Sequence, residues 1–365
     1  MDHMYLPAEW EPQSIIQLTW PHALTDWAYC LDEITSTFVA LADVITRYEG
    51  LLIVTPDEGS TRQTLARTLT PVQMTRVMIC QCDTNDTWAR DHGALTLLHR
   101  DGTTSCDGGE QPDCGAVSPL LLDFRFNGWG EKFPAALDNA VNRHLKASGI
   151  FDALMEDHDD FVLEGGSVES DGKGTVFTTS QCLMAPHRNQ PLSMEEIEEQ
   201  LKSRLRADRI VWLHHGNLVG DDTDGHIDTI VRCAPDDTLL YVCCDDEDDE
   251  QYADFQNLQS ELLSLRTTEG PPYHLLSLPM PEAIYEDGER LPATYANFVI
   301  LNGAVIVPTY HQPELDRKAL HTIRQAFPGR DIIPLDARTV IRQHGSLHCL
   351  TMQYPQSLHI NTRKS

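Results

Sequence analysis

Short apolar runs rich in β-branched residues recur along the whole chain, separated by stretches whose apolar residues step by three or four. The runs are Ile15–Trp20, Leu51–Thr55, Val77–Cys82, Leu120–Phe124, Thr175–Thr179, Ile210–Leu213, Leu239–Cys243, Val299–Leu301, Val305–Val307 and Ile332–Leu335. Runs of that length read as buried strands, and a step of three or four is the apolar stripe of a helix. In the first stripe, Trp27, Leu31, Ile34, Phe38, Leu41 and Ile45 share a face, with Thr25 or Asp26 placed to cap its start and Gly50 following its end. Another opens on Ser193 and Glu196, a capping-box spacing, and sets Ile197, Leu201 and Leu205 on one face. Further helices are expected near 60–69, 133–147, 250–264 and 314–327. Strands and helices alternating from end to end predict an α/β fold. No Pro/Gly/Ser linker divides the chain, so residues 1–365 read as one domain, with the polar, Gly-rich stretch at about 101–119 as an inserted loop. The acidic run Asp245–Glu250 reads as a solvated helix start, where carboxylates suit the helix dipole.

Charge narrows the partners. With 56 acidic and 27 basic residues the formal net charge is -29, which repels nucleic-acid backbones and anionic membranes and draws in small cations. The opening MDHMYLPAEWEP has neither the basic start nor the apolar core of a secretory leader, and no run approaches a membrane span. Ten cysteines, including adjacent Cys243 and Cys244, are scattered through apolar stretches rather than set out as a disulfide framework; a reducing cytoplasm is expected.

Four polar, Gly-containing motifs fall at strand ends, where sites in α/β folds are assembled. The first is Trp88-Ala89-Arg90-Asp91-His92-Gly93, presenting a carboxylate beside an aromatic ring, and the second is Glu164-Gly165-Gly166-Ser167, whose glycines let backbone pass close to a ligand. In the third, Gly225-His226-Ile227-Asp228 begins the alternating stretch HIDTIVR. Read as the start of a strand, it points His226 and Asp228 from the same face, a proton-transfer group beside a cation-binding one. The fourth, His344-Gly345-Ser346-Leu347-His348-Cys349, surrounds a thiol with glycine and histidines. A thiolate needs polar or cationic neighbours of that kind. Taken singly, each motif reads equally as a turn, a surface strand or a core cysteine.

Together the motifs resemble the agmatine deiminase family, relatives of bacterial peptidylarginine deiminase among the guanidine-modifying enzymes. The resemblance starts at Leu6-Pro7-Ala8-Glu9-Trp10-Glu11-Pro12 and passes through Trp88–Gly93, Phe126-Asn127-Gly128-Trp129-Gly130, Glu164–Ser167 and Thr178-Thr179-Ser180-Gln181-Cys182-Leu183. It continues through Asp222–Asp228 and Leu291-Pro292-Ala293-Thr294-Tyr295-Ala296-Asn297-Phe298 to the Cys349 segment. It implies a five-fold pseudosymmetric α/β propeller of the pentein type with a central active site. It also implies a homo-oligomer. By position it makes Cys349 the nucleophile, His226 the general acid/base, Glu164 the acid that orients it, Asp91 and Asp228 the carboxylates gripping a guanidinium, and Trp88 and Trp129 walls against the substrate. One departure stands out: the family's Gly-Gly-Asn-Ile-His before the cysteine is here His344-Gly345-Ser346-Leu347-His348, which bears on loop shape and on recognition of the substrate's far end.

The chemistry of that reading asks for these residue types. Carboxylates fix the guanidinium plane by bidentate hydrogen bonds, the Cys349 thiolate attacks its carbon, and His226 protonates the departing ammonia. Water then resolves the adduct, so no metal or organic cofactor is needed. Agmatine is the expected substrate. Free or peptidyl arginine is the alternative, bringing a carboxylate that calls for a basic partner such as Arg90, Arg125 or Arg232. Amidino transfer differs only in the group that resolves the adduct, and a binding protein without turnover would lack a member of the set. Zinc through His226 and Asp228, His214 and His215, and Cys243 and Cys244 matches no tetrahedral spacing.

Overall fold

The computed structural model describes residues 4–100, 119–358 and 360. All but the last residue of the expected insertion at about 101–119 lies outside the described residues. The chain is α/β, and one connection pattern recurs in five sheets. In each, an edge strand pairs antiparallel with the next strand, which crosses over through a helix to a parallel neighbour. Val168–Ser170, Thr175–Thr179 and Arg209–Leu213 form one such sheet, with Met194–Leu205 as the crossover helix. Val231–Ala234, Thr238–Cys243 and His274–Pro279 form another around Tyr252–Ser264. Val299–Ile300, Ala304–Thr309 and Asp331–Asp336 repeat it around Pro313–Ala326. Leu95–His99, Leu120–Arg125 and Leu154–Val162 do so around Val141–Ala147, with Met4–Tyr5 added at the edge. The fifth sheet joins distant parts of the sequence: Thr351–Pro355 pairs antiparallel with Gln13–Thr19, which runs parallel to Gly50–Thr55 and onward to Val77–Gln81.

Helices form where the apolar steps predict them and bury the expected faces. Ile34, Phe38, Leu41 and Ile45 of Leu31–Tyr48 are fully buried, each stabilising the fold by about 1.5–3 kcal/mol. This helix is preceded by a 3-10 turn, Asp26–Cys30, and neither Thr25 nor Cys30 caps through its side chain. Thr25 Oγ1 instead donates to the His22 carbonyl. Trp27, buried in that turn, donates from Nε1 to Thr87 Oγ1 at 2.9 Å and so ties the first helical region to the Trp88 motif. The Ser193–Glu196 capping box forms with both hydrogen bonds in place.

Two expectations are corrected. The helix expected over 133–147 is only Val141–Ala147 after a short 3-10 turn, because Asn139 Oδ1 is engaged by the Phe126 amide and Pro134 interrupts the preceding backbone. The acidic run Asp245–Glu250 is loop, and its helix begins at Tyr252. Asp249 is drawn out of solvent by Arg290, at 2.7 Å.

Candidate active site

The segments that carry one sheet into the next hold the motifs. Val77–Gln81 leads to Trp88–Gly93, Leu154–Val162 to Glu164–Ser167, Arg209–Leu213 to Asp221–Asp228, and Asp331–Asp336 to His344–Cys349. The remaining segment, after His274–Pro279, brings Asn297 to the same place. Sequence reasoning quoted the Leu291–Phe298 stretch without giving Asn297 a part.

His226 and Asp228 do converge, but not on a strand. Ile227–Thr229 is a 3-10 turn, and the strand starts only at Val231. The alternating pattern is overridden by the loop before it. Asp221 Oδ2 accepts from the Gly225 amide at 2.7 Å and Asp221 Oδ1 from the Thr223 hydroxyl at 2.7 Å, while the His226 amide donates to Thr223 Oγ1.

Around the thiol the contacts are short. Cys349 Sγ lies 3.4 Å from Asn297 Oδ1 and 3.7 Å from Asp228 Oδ2. Asn297 Oδ1 also accepts from the amides of His348 and Cys349 at 2.9 and 3.2 Å, and its Nδ2 donates to the Asp228 carbonyl at 3.3 Å. Asp91 Oδ2 accepts from Trp129 Nε1 at 2.9 Å, and Asp91 Oδ1 accepts from the Gly166 amide at 3.0 Å and lies 3.6 Å from His226 Nδ1. Gly166 is obligatory here: a Cβ would sit 2.6 Å from His226 Nδ1 and 2.9 Å from Asp91 Oδ1. Trp129 has left-handed backbone between two left-handed glycines, with the Gly130 amide held by Asn127 Oδ1.

The groups are buried together and their charges settle one another. Burial pushes Asp91 up to about 6, with His226 opposing and Asp228 adding to the rise. Burial also disfavours charge on His226, but Asp91, Cys182 and Glu164 outweigh it and hold the imidazole well above its ordinary range. Asp228 goes the other way: burial is overcome by the His348 hydrogen bond and by the charges of His348, His226 and Arg232. Burial, Asp228 and Asp91 push the Cys349 thiol well above the usual value. In the unliganded site the thiol therefore keeps its proton at neutral pH.

A cavity of about 380 Å³, counting the part open to solvent, leads to this group. Trp88, Asp91, Trp129 and Cys349 line it, with Asp26, Asp86 and Asp222. His226, Glu164 and Asp228 lie fully buried and are not among its lining residues. No Lys or Arg among the described residues lines it either; Arg232 is buried elsewhere and Arg90 pairs with Glu9. Arg125 is exposed at the end of its strand. Asp86 is pushed up to about 7 by burial, then by Asp26 and Asp138, and Asp222 up to about 6 by burial and Asp221. The unusual His344-Gly345-Ser346 run keeps a tight loop, since a Cβ on Gly345 would meet the Trp88 ring at 2.2 Å. His344 donates from Nδ1 to the Gly220 carbonyl at 2.8 Å.

Buried ion pairs back the site, and sequence reasoning missed them. Arg188 donates from Nε to Glu164 at 2.9 Å, from Nη1 to Asp224 at 2.7 Å and from Nη2 to the Thr223 carbonyl. Glu164 is thus paired with Arg188, while its second oxygen has no hydrogen-bond partner among the described residues. A Glu164 oxygen, Cys182 Sγ and a His226 ring nitrogen lie within 4.8 Å of one another, as do ligand atoms of Glu9, Glu169 and His348. Both groups have ligand atoms suited to a metal, but Arg188 occupies the acid of the first and Arg232 both acids of the second. A guanidinium already supplies the positive charge that a metal would bring. The His214, His215, Cys243 and Cys244 set does not assemble: His215 pairs with Asp254, and Cys243 faces Asp245.

Comparison with known proteins places the whole chain in one family. The model of the Porphyromonas-type peptidyl-arginine deiminase family matches residues 5–355. An agmatine deiminase of Stutzerimonas stutzeri is 30% identical over 97% of this chain and 96% of its own. Among solved structures, a Porphyromonas gingivalis protein provisionally described as an arginine deiminase is 46% identical with a TM-score of 0.88, covering 98% of this chain and all (100%) of that one. A substrate-bound agmatine deiminase of C. jejuni is 34% identical with a TM-score of 0.86, covering 98% and 97%. With the match running almost from end to end, the chain belongs to the Porphyromonas-type peptidyl-arginine deiminase family.

Proposed function

We propose that this protein is an agmatine deiminase, a C–N hydrolase converting the guanidinium of agmatine to N-carbamoylputrescine and ammonia. The observation that carries the substrate is the cavity lining: Asp26, Asp86 and Asp222, with no Lys or Arg among the described residues. Agmatine ends in an ammonium, which such a mouth attracts. Free arginine ends in a carboxylate as well, which it repels.

In this reading Asp91 and Asp228 hold the guanidinium, Trp88 and Trp129 wall it in, and Cys349 attacks. The thiol, held protonated by its anionic surroundings, releases its proton to solvent through the open cavity once a substrate cation neutralises them. Thiolate adds to the guanidinium carbon, and the C–N bond breaks as His226, held protonated by Asp91, gives its proton to the departing nitrogen. That leaves a thiouronium. Water adds to the same carbon with His226 taking its proton, the C–S bond breaks, and the ureido product departs. Glu164 contributes negative charge near His226. The architecture we infer is the five-fold pseudosymmetric pentein propeller over one domain, supported by the five repeats of one sheet connection. No helix among the described residues is long and apolar enough to cross a membrane, and the eight cysteines among them are free, which supports a reducing cytoplasm.

Incubation with agmatine, free arginine and a short arginine peptide, assaying ureido product and ammonia beside Cys349→Ser, tests this. Turnover of agmatine alone, lost in the variant, supports the proposal; turnover chiefly of arginine or the peptide overturns the substrate and keeps the chemistry.

A further inference from the structure

His348 and Glu9 are not needed by the steps above, yet they are among the most tightly held groups in the protein. The His348 ring lies between two carboxylates, with Nδ1 at 2.7 Å from Asp228 Oδ2 and Nε2 at 2.8 and 3.0 Å from the two oxygens of Glu9. Arg232 Nη2 lies 3.1 Å from the same Nε2, so the ring meets a guanidinium as well as two carboxylates. Glu9 reaches this place from the N-terminal segment and is itself fixed by Arg90 Nη1 at 3.0 Å and Arg232 Nη2 at 2.6 Å. Arg232, fully buried, also pairs with Glu169 and donates from Nη1 to the carbonyls of Ala296 and Phe298. Three acids (Glu9, Glu169 and Asp228) thus meet around the His348 ring and the guanidinium groups of Arg90 and Arg232. One oxygen of Asp228 is taken by His348, and the other, Oδ1, is buried without a hydrogen-bond partner. Unmet buried carboxylate oxygens are costly unless something arrives to fill them.

We infer that Glu9 and His348 are positioning residues for Asp228, holding it ionised and turning its free oxygen toward the incoming guanidinium. The inference rests on the reading of Asp228 as a substrate-holding group. The groups facing Asp228 are His348, His226, Arg232 and Cys349, with Asp91 across Gly166. His348 makes the shorter of the two side-chain hydrogen bonds to its carboxylate, 2.7 Å against 3.7 Å from the Cys349 thiol, so breaking the Glu9–His348 pair loosens the main hold on the anion.

Full-length Glu9→Gln and His348→Asn are assayed on agmatine beside the parent and Asp228→Asn, with thermal midpoints recorded. His348→Asn keeps a donor toward Asp228 but not the reach to Glu9, and it stands in if Glu9→Gln fails to fold. The expected loss in kcat/KM is on the order of tenfold to a hundredfold, carried mainly by KM. The acid limb of log kcat/KM steepens from one proton toward two, because Asp228 then titrates alongside Asp91. Loss without steepening in a folded variant, uniform across pH, reduces the pair to a structural prop and overturns the inference. Full activity in Asp228→Asn overturns instead the reading on which it rests.

Discussion

Asp86 carries a conflict between stability and binding that can be measured. Burial beside Asp26 and Asp138 raises its carboxyl from 3.8 to about 7. A carboxyl raised on folding supports the fold while protonated. Its contribution is complete below the unfolded value and is lost as pH rises through the folded one. At 1.36 kcal/mol per tenfold, that rise corresponds to roughly 4 kcal/mol of destabilisation above pH 7. Water entering the open cavity brings the expected figure to about 1–3 kcal/mol. Asp86→Asn removes the charge and keeps an oxygen to accept from the Thr87 amide, a 2.8 Å bond in the parent. The variant should match the parent near pH 4, gain on it as pH rises, and hold a constant lead above about pH 7. Thermal unfolding of both proteins across that range reads the difference. The same variant should show a raised KM for agmatine at pH 8, since one carboxylate has left the cavity mouth. A stability gap independent of pH, or a variant less stable at pH 8, refutes the reasoning.

Two further outcomes follow from the buried charges. Below about pH 6, kcat/KM for agmatine should fall tenfold per unit as Asp91, raised to about 6 in the free site, takes up the proton that blocks guanidinium binding; a profile flat to pH 5 counts against it. Arg188→Met leaves Glu164 buried and unpaired and should destabilise the protein by about 3–5 kcal/mol, read as a drop in thermal midpoint, whereas an unchanged midpoint means that Glu164 is neutral in the fold.

What the sequence disclosed depended on how local the cause was. The Met194–Leu205 helix was legible because its capping box and apolar face lie within thirteen residues, Ser193 to Leu205. The His226–Asp228 turn was not, because its alternating residues imitate a strand while an aspartate several positions earlier decides the backbone. Thr351–Pro355 was missed as a strand, since its partner is Gln13–Thr19 near the other end of the chain. The chemistry-bearing side chains stood in recognisable motifs, but their supports did not. Glu9 and His348 are 339 positions apart, and no spacing rule connects them. Arg188 sits in a polar loop whose composition gives no sign that its side chain is fully buried.

Cys349 lies two residues before Thr351–Pro355, the strand that completes the sheet begun by Gln13–Thr19. Its neighbours Asn297 and Asp228 are supplied by earlier parts of the chain, and Glu9 by the very first. Cys349 therefore meets these neighbours only when the two ends of the sequence are paired. A chain in which that pairing is missing separates the thiol from its cradle. Enzymatic activity in this architecture is a direct readout of how many molecules have finished folding.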